Sequence, residues 1–213
     1  EDDAKRLNIT NVQVSLDGME EGHDFMRGSG SYKKAINGIE NFIKAGKKVS
    51  IATMVHKKNL DEFDDMEKLL TGYGIDKWIV SSPCEAGRWK ENHEYEVGVK
   101  TAVPIITRYS MVTEGPHKSS GEYTCGTNLF VVMPDGTYSS CALMMDSLGK
   151  INDVPMEEAW KSKKRIRVDE LAECKSCDAV KECKGGCRQH ALVNGNIYGK
   201  DPQACEIFEK GVK

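Results

Sequence analysis

The chain's 213 residues allow one large domain or two small ones, and 33 acidic against 30 basic side chains leave a net charge of −3. That balance supplies no global basic field of the kind nucleic acid attracts. No apolar run approaches the roughly 18 residues of a membrane span, and no signal peptide is evident.

The first strand is expected over residues 12–16, where Val12-Gln13-Val14-Ser15-Leu16 alternates and Asp17-Gly18 ends it. A polar, glycine-containing loop is expected over 19–30. Ser31 is a plausible N-cap for a helix carrying Tyr32, Ala35, Ile36, Ile39, Phe42 and Ile43 on one face, with Gly46 past its end. Residues 48–54 read as a second strand. Asn59 with Glu62 resembles a capping box ahead of a helix with Leu60, Phe63, Met66, Leu69 and Leu70. Trp78-Ile79-Val80 is a third, short strand. Strand–helix–strand–helix–strand is the pattern of a parallel sheet.

Residues 83–92 read as a loop and 95–112 as a helix that Pro104 should kink. The polar stretch 114–123 is the expected domain boundary. A hairpin is predicted from 128–133 and 137–141 around Pro134-Asp135-Gly136. Pro155 suits the first turn of a short helix, and 189–193 read as the last helical stretch.

Seven of the eight cysteines lie from Cys125 onward, and four fall in fourteen residues as Cys174-x2-Cys177-x5-Cys183-x3-Cys187. Eight cysteines in 213 residues are fewer than the roughly 8–10% of disulfide scaffolds, and clustered thiols in a chain this long point to metal in a cytoplasmic protein. Thiolates suit zinc or iron–sulfur clusters. Gly185-Gly186 lets the backbone come close beside Cys187. Seven ligands exceed one tetrahedral site and nearly complete two. On spacing alone zinc, iron–sulfur and disulfide readings all stay open, and a non-catalytic zinc-binding interaction module is the competing class of function.

The cysteine pattern extends further. Cys125-x10-Gly136-x4-Cys141, then the four-cysteine run, then Cys205 resembles the SPASM domain of radical S-adenosylmethionine (radical SAM) enzymes. Leu148-Gly149-Lys150-Ile151, Glu158-Ala159-Trp160, Gly185-Gly186-Cys187-Arg188 and Asp201-Pro202 are similar to that family's punctuation. Ser15-Leu16-Asp17-Gly18, His23-Asp24, Arg27-Gly28, Gly30-Ser31-Tyr32, Asn59-Leu60 and Gly87-Arg88 resemble the second half of a radical SAM partial barrel.

The resemblance implies an α/β fold: the C-terminal half of a (β/α)6 partial TIM barrel over 1–92, a connection over 93–118, and a cysteine-rich SPASM domain with a β-hairpin and short helices over 119–213. It implies two auxiliary four-iron four-sulfur clusters, with zinc as a possible substitute. Cys174, Cys177, Cys183 and Cys205 would hold one, and Cys125, Cys141 and Cys187 three corners of the other. Ser119 stands where some members place a further cysteine. Ser15, Asp17, Arg27 and Arg88 would face S-adenosylmethionine. The whole enzyme would act on a peptide or a tetrapyrrole precursor, fed by a reductant such as ferredoxin or flavodoxin, with neither nucleic acid nor membrane as partner. Ala142 replaces the aspartate that sulfatase-maturing members carry, so quinone-cofactor or haem-biosynthesis members are the better likeness.

The C-x-x-x-C-x-x-C of the radical SAM cluster and the first three strand–helix units are not in this sequence, which also begins at Glu1. A fragment, inactive as it stands, is therefore expected, and its uncovered first strand should drive homodimerisation. His190 reads as a structural helix residue and Cys84 as a partly buried free thiol.

Overall fold

A computed structural model describes residues 2–84, 89, 91–111 and 121–209. The chain divides into two compact units, Glu1–Pro83 with Arg88–Thr113, and Cys84–Gly87 with Glu114–Lys213. Among the described residues no helix is long and apolar enough to cross a membrane.

The first unit is an α/β layer. After a short helix α1 (Asp2–Arg6), strands β1 (Asn11–Ser15), β2 (Lys48–Met54) and β3 (Lys77–Ser81) form a parallel sheet in the order β1-β2-β3. The register sets Val14 beside Ile51 and Ile51 beside Trp78. Helices α3 (Ser31–Lys44) and α4 (Phe63–Tyr73) are the crossovers. One sheet face sends Val49, Ile51, Trp78 and Val80 into a core closed by Ile39, Phe63, Met66 and Leu70. Full burial of such side chains contributes about 1.5–3 kcal/mol each. Thr53 is the polar exception on that face. It donates to Leu16 O at 2.6 Å and accepts the Trp78 indole N–H at 2.8 Å, so neither group is left unpaired.

Several local expectations change here. The loop expected over 19–30 contains α2 (Glu20–Arg27). Its opening is capped from far away: Glu62 accepts the Met19 N–H at 2.9 Å and the Gly22 N–H at 3.2 Å. Glu62 therefore does not close a capping box with Asn59. Asn59 instead accepts the His56 N–H and donates to the carbonyls of Asp17 and Met54. Ser31 is the first residue of α3 rather than its cap, because the Asp24 carboxylate accepts the Gly30 and Tyr32 N–H groups and the Ser31 hydroxyl. The helix expected over 95–112 is shorter, α5 (Val99–Tyr109), preceded by a 3-10 turn at His93–Tyr95, and it continues through Pro104.

The second unit has little regular structure. Strands β4 (Val131–Val132) and β5 (Tyr138–Ser139) form an antiparallel ladder of two residue pairs, shorter than the predicted hairpin. Buried Tyr138 packs at a tilt against Phe130, whose ring also meets Trp160 on α6 (Met156–Ser162). A second small cluster joins Ile166, Leu171 and Cys174. Short helices α7 (Val180–Cys183), α8 (Arg188–Val193) and α9 (Pro202–Glu209) follow. Helix α9 has no counterpart in the periodicity reading.

Candidate metal centres

Cys174 follows the turn that closes on Leu171, and its N–H bonds Leu171 O at 2.9 Å. Cys177 comes one turn later, its N–H on Cys174 O at 3.0 Å. Cys183 ends α7, and Cys205 rises from α9. These four line a single cavity of about 420 Å³ together with Gly185 and Asp201. Burial pushes the Cys174 and Cys205 thiols up, and takes Cys183 up to about 11. Without a cation, these sulfurs resist ionisation; a bound metal reverses that preference.

Cys125, Cys141 and Cys187 line a second, smaller cavity of about 60 Å³. Proximity to Cys187 and burial push the Cys125 thiol up, while Cys187 is drawn toward thiolate by the same neighbour. Backbone N–H groups are aimed at the sulfurs. The Arg188 N–H lies 3.4 Å from Cys125 Sγ and the Leu143 N–H 3.5 Å from Cys141 Sγ. The N–H groups of Gln189 and His190 near Cys187 also favour its thiolate. Such donors stabilise thiolate and tune a metal centre. Lys163, 4% exposed, closes the wall and donates to the carbonyls of Gly126, Thr127 and Leu129.

Asp201 ties the two sets together. Oδ2 accepts the Cys187 N–H at 2.7 Å, and Oδ1 accepts the Gln203 N–H at 2.9 Å and the Ala204 N–H at 3.3 Å, at the start of α9. Oδ1 also meets His190 Nδ1 at 3.2 Å. Burial opposes both charges, yet the pair outweighs it: Asp201 is held low and His190 up to about 10, the latter also aided by Cys84. Cys84 is half-buried beside that imidazole rather than isolated. Gly186, at φ +68°, leaves room for this carboxylate, since a Cβ there would stand 2.5 Å from Asp201 Oδ2. Sequence reasoning misses Asp201 as a site residue, although Asp-Pro ahead of Cys205 is the signature of an N-cap followed by proline at the first helical position.

The four-cysteine set fits a polynuclear iron–sulfur group. The four-cysteine set surrounds a volume rather than a point, the thiols receive backbone donors, and two buried polar groups nearby lack partners: Arg188 Nε and Nη2, and Gln189 Oε1. Among the described residues, no three His, Cys, Asp or Glu side chains converge tightly enough for a single metal ion.

In the first unit, the remaining candidates gather at the C-terminal end of the sheet, where parallel α/β folds place their sites. Ser15 is the half-buried last residue of β1. Asp17 is 1% exposed; it accepts Arg27 Nε–H at 2.5 Å and the Met54 N–H at 2.8 Å. Its carbonyl meets Asn59 Nδ2 and His56 Nε2, and its N–H donates to His23 Nδ1. Burial lowers both His23 and His56, which keeps these rings neutral. Asp17 thus fixes Arg27, whose side chain stays 42% exposed. Arg88 and Ser119 lie outside the described residues.

Residues 124–188 match the SPASM family, an iron–sulfur cluster-binding domain. Over 94% of its length the chain is 27% identical to mycofactocin maturase MftC of Mycobacterium ulcerans, covering 62% of that protein. Over 93% it is 24% identical to the AdoMet-dependent heme synthase of Nitratidesulfovibrio vulgaris, covering 66%. The chain therefore spans just under two thirds of the length of these relatives. Among solved structures, the fold is similar to histidine-tagged anSMEcpe with bound AdoMet, with a TM-score of 0.70 and 22% identity over 99% of this chain and 68% of that one.

Proposed function

From the premise that this chain belongs to the radical SAM/SPASM family, we propose that it is the C-terminal portion of an enzyme modifying a peptide or a tetrapyrrole precursor. In this reading residues 1–92 are the second half of a (β/α)6 partial barrel, 93–118 a connection, and 119–213 the SPASM domain. Cys174, Cys177, Cys183 and Cys205 hold one auxiliary four-iron four-sulfur cluster, and Cys125, Cys141 and Cys187 three corners of another.

The observation carrying the proposal is the gathering of four cysteines from two separated segments around one cavity. Zinc bound by thiolates at about 2.3 Å would need its sulfurs drawn to a single point, so the ring of cysteines favours a cluster over the zinc-module alternative. When bound, the auxiliary clusters would supply electron transfer or a substrate-binding iron, and S-adenosylmethionine in the whole enzyme would supply the radical that takes a substrate hydrogen. The chain's own residues hold these groups. Backbone N–H groups of Arg188, Leu143, Gln189 and His190 orient and stabilise the thiolates. Asp201 fixes the start of α9 and with it Cys205. Ser15 and Arg27 contact S-adenosylmethionine at the strand ends, Asp17 contributes by fixing Arg27, and Arg88 is a further contact in this reading. Peptide and tetrapyrrole both remain substrates of this reading because the relatives divide between a maturase and a heme synthase.

Anaerobic reconstitution with iron and sulfide tests it. Two clusters correspond to about eight irons per chain and a brown protein with a reduced-state paramagnetic resonance signal. Loss of the signal is expected when Cys174 and Cys183 are replaced by alanine, for the corresponding cluster alone. Colourless protein that takes zinc and excludes iron would establish the interaction module instead.

A further inference from the structure

Arg188 is the most conspicuous unpaired group in the second unit. It is 4% exposed. Nη1 donates to Ile197 O at 2.8 Å and Gly199 O at 2.9 Å, while Nε and Nη2 have no partner. None of the described carboxylates forms an ion pair with it. A guanidinium cannot shed its charge in a protein, so burial obliges it to find an anion. The two carbonyls use only one arm of the fork.

Its surroundings say which anion. Arg188 lies in the wall of the cavity of Cys125, Cys141 and Cys187, together with Lys163 and Arg165, so cations surround thiols with no carboxylate among them. On the other side it borders Gly185, which lines the four-cysteine cavity. A Cβ at Gly185 would meet Arg188 Nη2 at 3.4 Å and collide with Leu171 Cδ1, and Leu171 is the residue whose carbonyl receives the Cys174 N–H. The backbone N–H of the same arginine already donates toward Cys125 Sγ.

We propose that the Arg188 guanidinium is the counter-charge shared by the two cysteine centres, with Nε–H and Nη2–H donating to cluster or cysteinyl sulfur. A fixed cation stabilises the more negative, reduced state of an iron–sulfur group, so Arg188 raises the reduction potential of the cluster it touches. Arg188 lines the Cys125–Cys141–Cys187 cavity itself and reaches the four-cysteine cavity only across Gly185. This inference rests on reading the cysteine sets as cluster sites.

The experiment uses the reconstituted full chain as wild type, R188K and R188M. Redox titration followed by paramagnetic resonance should place the potential of at least one cluster lower in R188M, with R188K between, since lysine keeps the charge and loses the fork. Iron release to a chelator should be about tenfold faster in R188M. Equal potentials in R188M and wild type, with equal iron content, would overturn the proposal. Should R188M fail to load iron, wild type grown with guanidino-15N arginine decides. A 15N coupling to a reduced cluster that disappears in R188K supports the assignment, and its absence from wild type defeats it. A wild type that takes up no iron would sink the cluster reading itself, and this inference with it, whereas a loaded wild type with indifferent variants sinks only Arg188.

Discussion

Asp201 is where a single carboxylate reaches both cysteine sets, so Asp201→Ala should unsettle both. The substitution removes the N-cap of α9, worth about 1 kcal/mol, from the helix that carries Cys205. It also strands the Cys187 N–H, bonded at 2.7 Å in a site 3% exposed. An unsatisfied buried donor costs about 1–3 kcal/mol, which brings the total to roughly 2–4 kcal/mol. His190 loses its carboxylate at the same time. Asp201→Asn should fall between, because Oδ1 can still cap α9 while the new amide faces the Cys187 N–H. The assay is iron release to a chelator together with the denaturant midpoint, on reconstituted protein. Both should move in the order wild type, D201N, D201A. Gly186→Ala should mimic the effect, since its Cβ would displace Oδ2 and its φ of +68° disfavours alanine. Release rates and midpoints unchanged in D201A would show that the carboxylate does not anchor these cysteines.

The other expectations concern the first unit. His23 and His56 are kept below their ordinary range by burial, so below about pH 6.5 the unfolded chain binds protons that the folded one refuses. The first unit should therefore lose stability as pH drops below about 6.5, by at most about 1.4 kcal/mol per pH unit per histidine, whereas His190 in the second unit, raised to about 10, contributes with the opposite sign above that pH; amide exchange of β2 and α3 in urea that is equally protected at pH 7.5 and about 5.5, after correction for intrinsic rates, would contradict this. Glu62→Ala leaves the Met19 and Gly22 N–H groups without their acceptor, a loss of about 1–3 kcal/mol; E62Q should recover part of it, and a midpoint equal to wild type would count against the remote cap. Among the described residues β1 pairs only with β2, which leaves its other edge to a second strand. Light scattering at micromolar concentration should report a dimer, and a monomer whose β1 amides exchange slowly would refute edge pairing.

What could be read from the sequence was whatever repeats within a short window. Val12 and Val14 alternate, Lys48 to Met54 does the same, and the apolar face of α3 recurs at helical spacing. Burial of one face demands that periodicity, so strands, helices and parallel order were legible without coordinates. The Cys174-x2-Cys177 spacing was suggestive for a related reason, because a short turn brings two sulfurs to one cavity.

What only tertiary structure decided was the destination of polar groups. Gly22, Gly28 and Gly30 made 19–30 look like a loop, yet α2 forms because a carboxylate 40 residues away accepts the Gly22 N–H. Asn59 and Glu62 have the spacing of a capping box, but Asp17, Met54, Met19 and Gly22 outcompete it as partners. Asp201 stood in the sequence only as part of the Asp-Pro before Cys205, and the fold makes it bridge Cys187 and the helix of Cys205. Hydrophobic faces are specified by spacing along the chain, whereas a buried hydrogen-bonding group is satisfied by whatever the fold brings within about 3 Å, and that neighbour is not written in the local sequence.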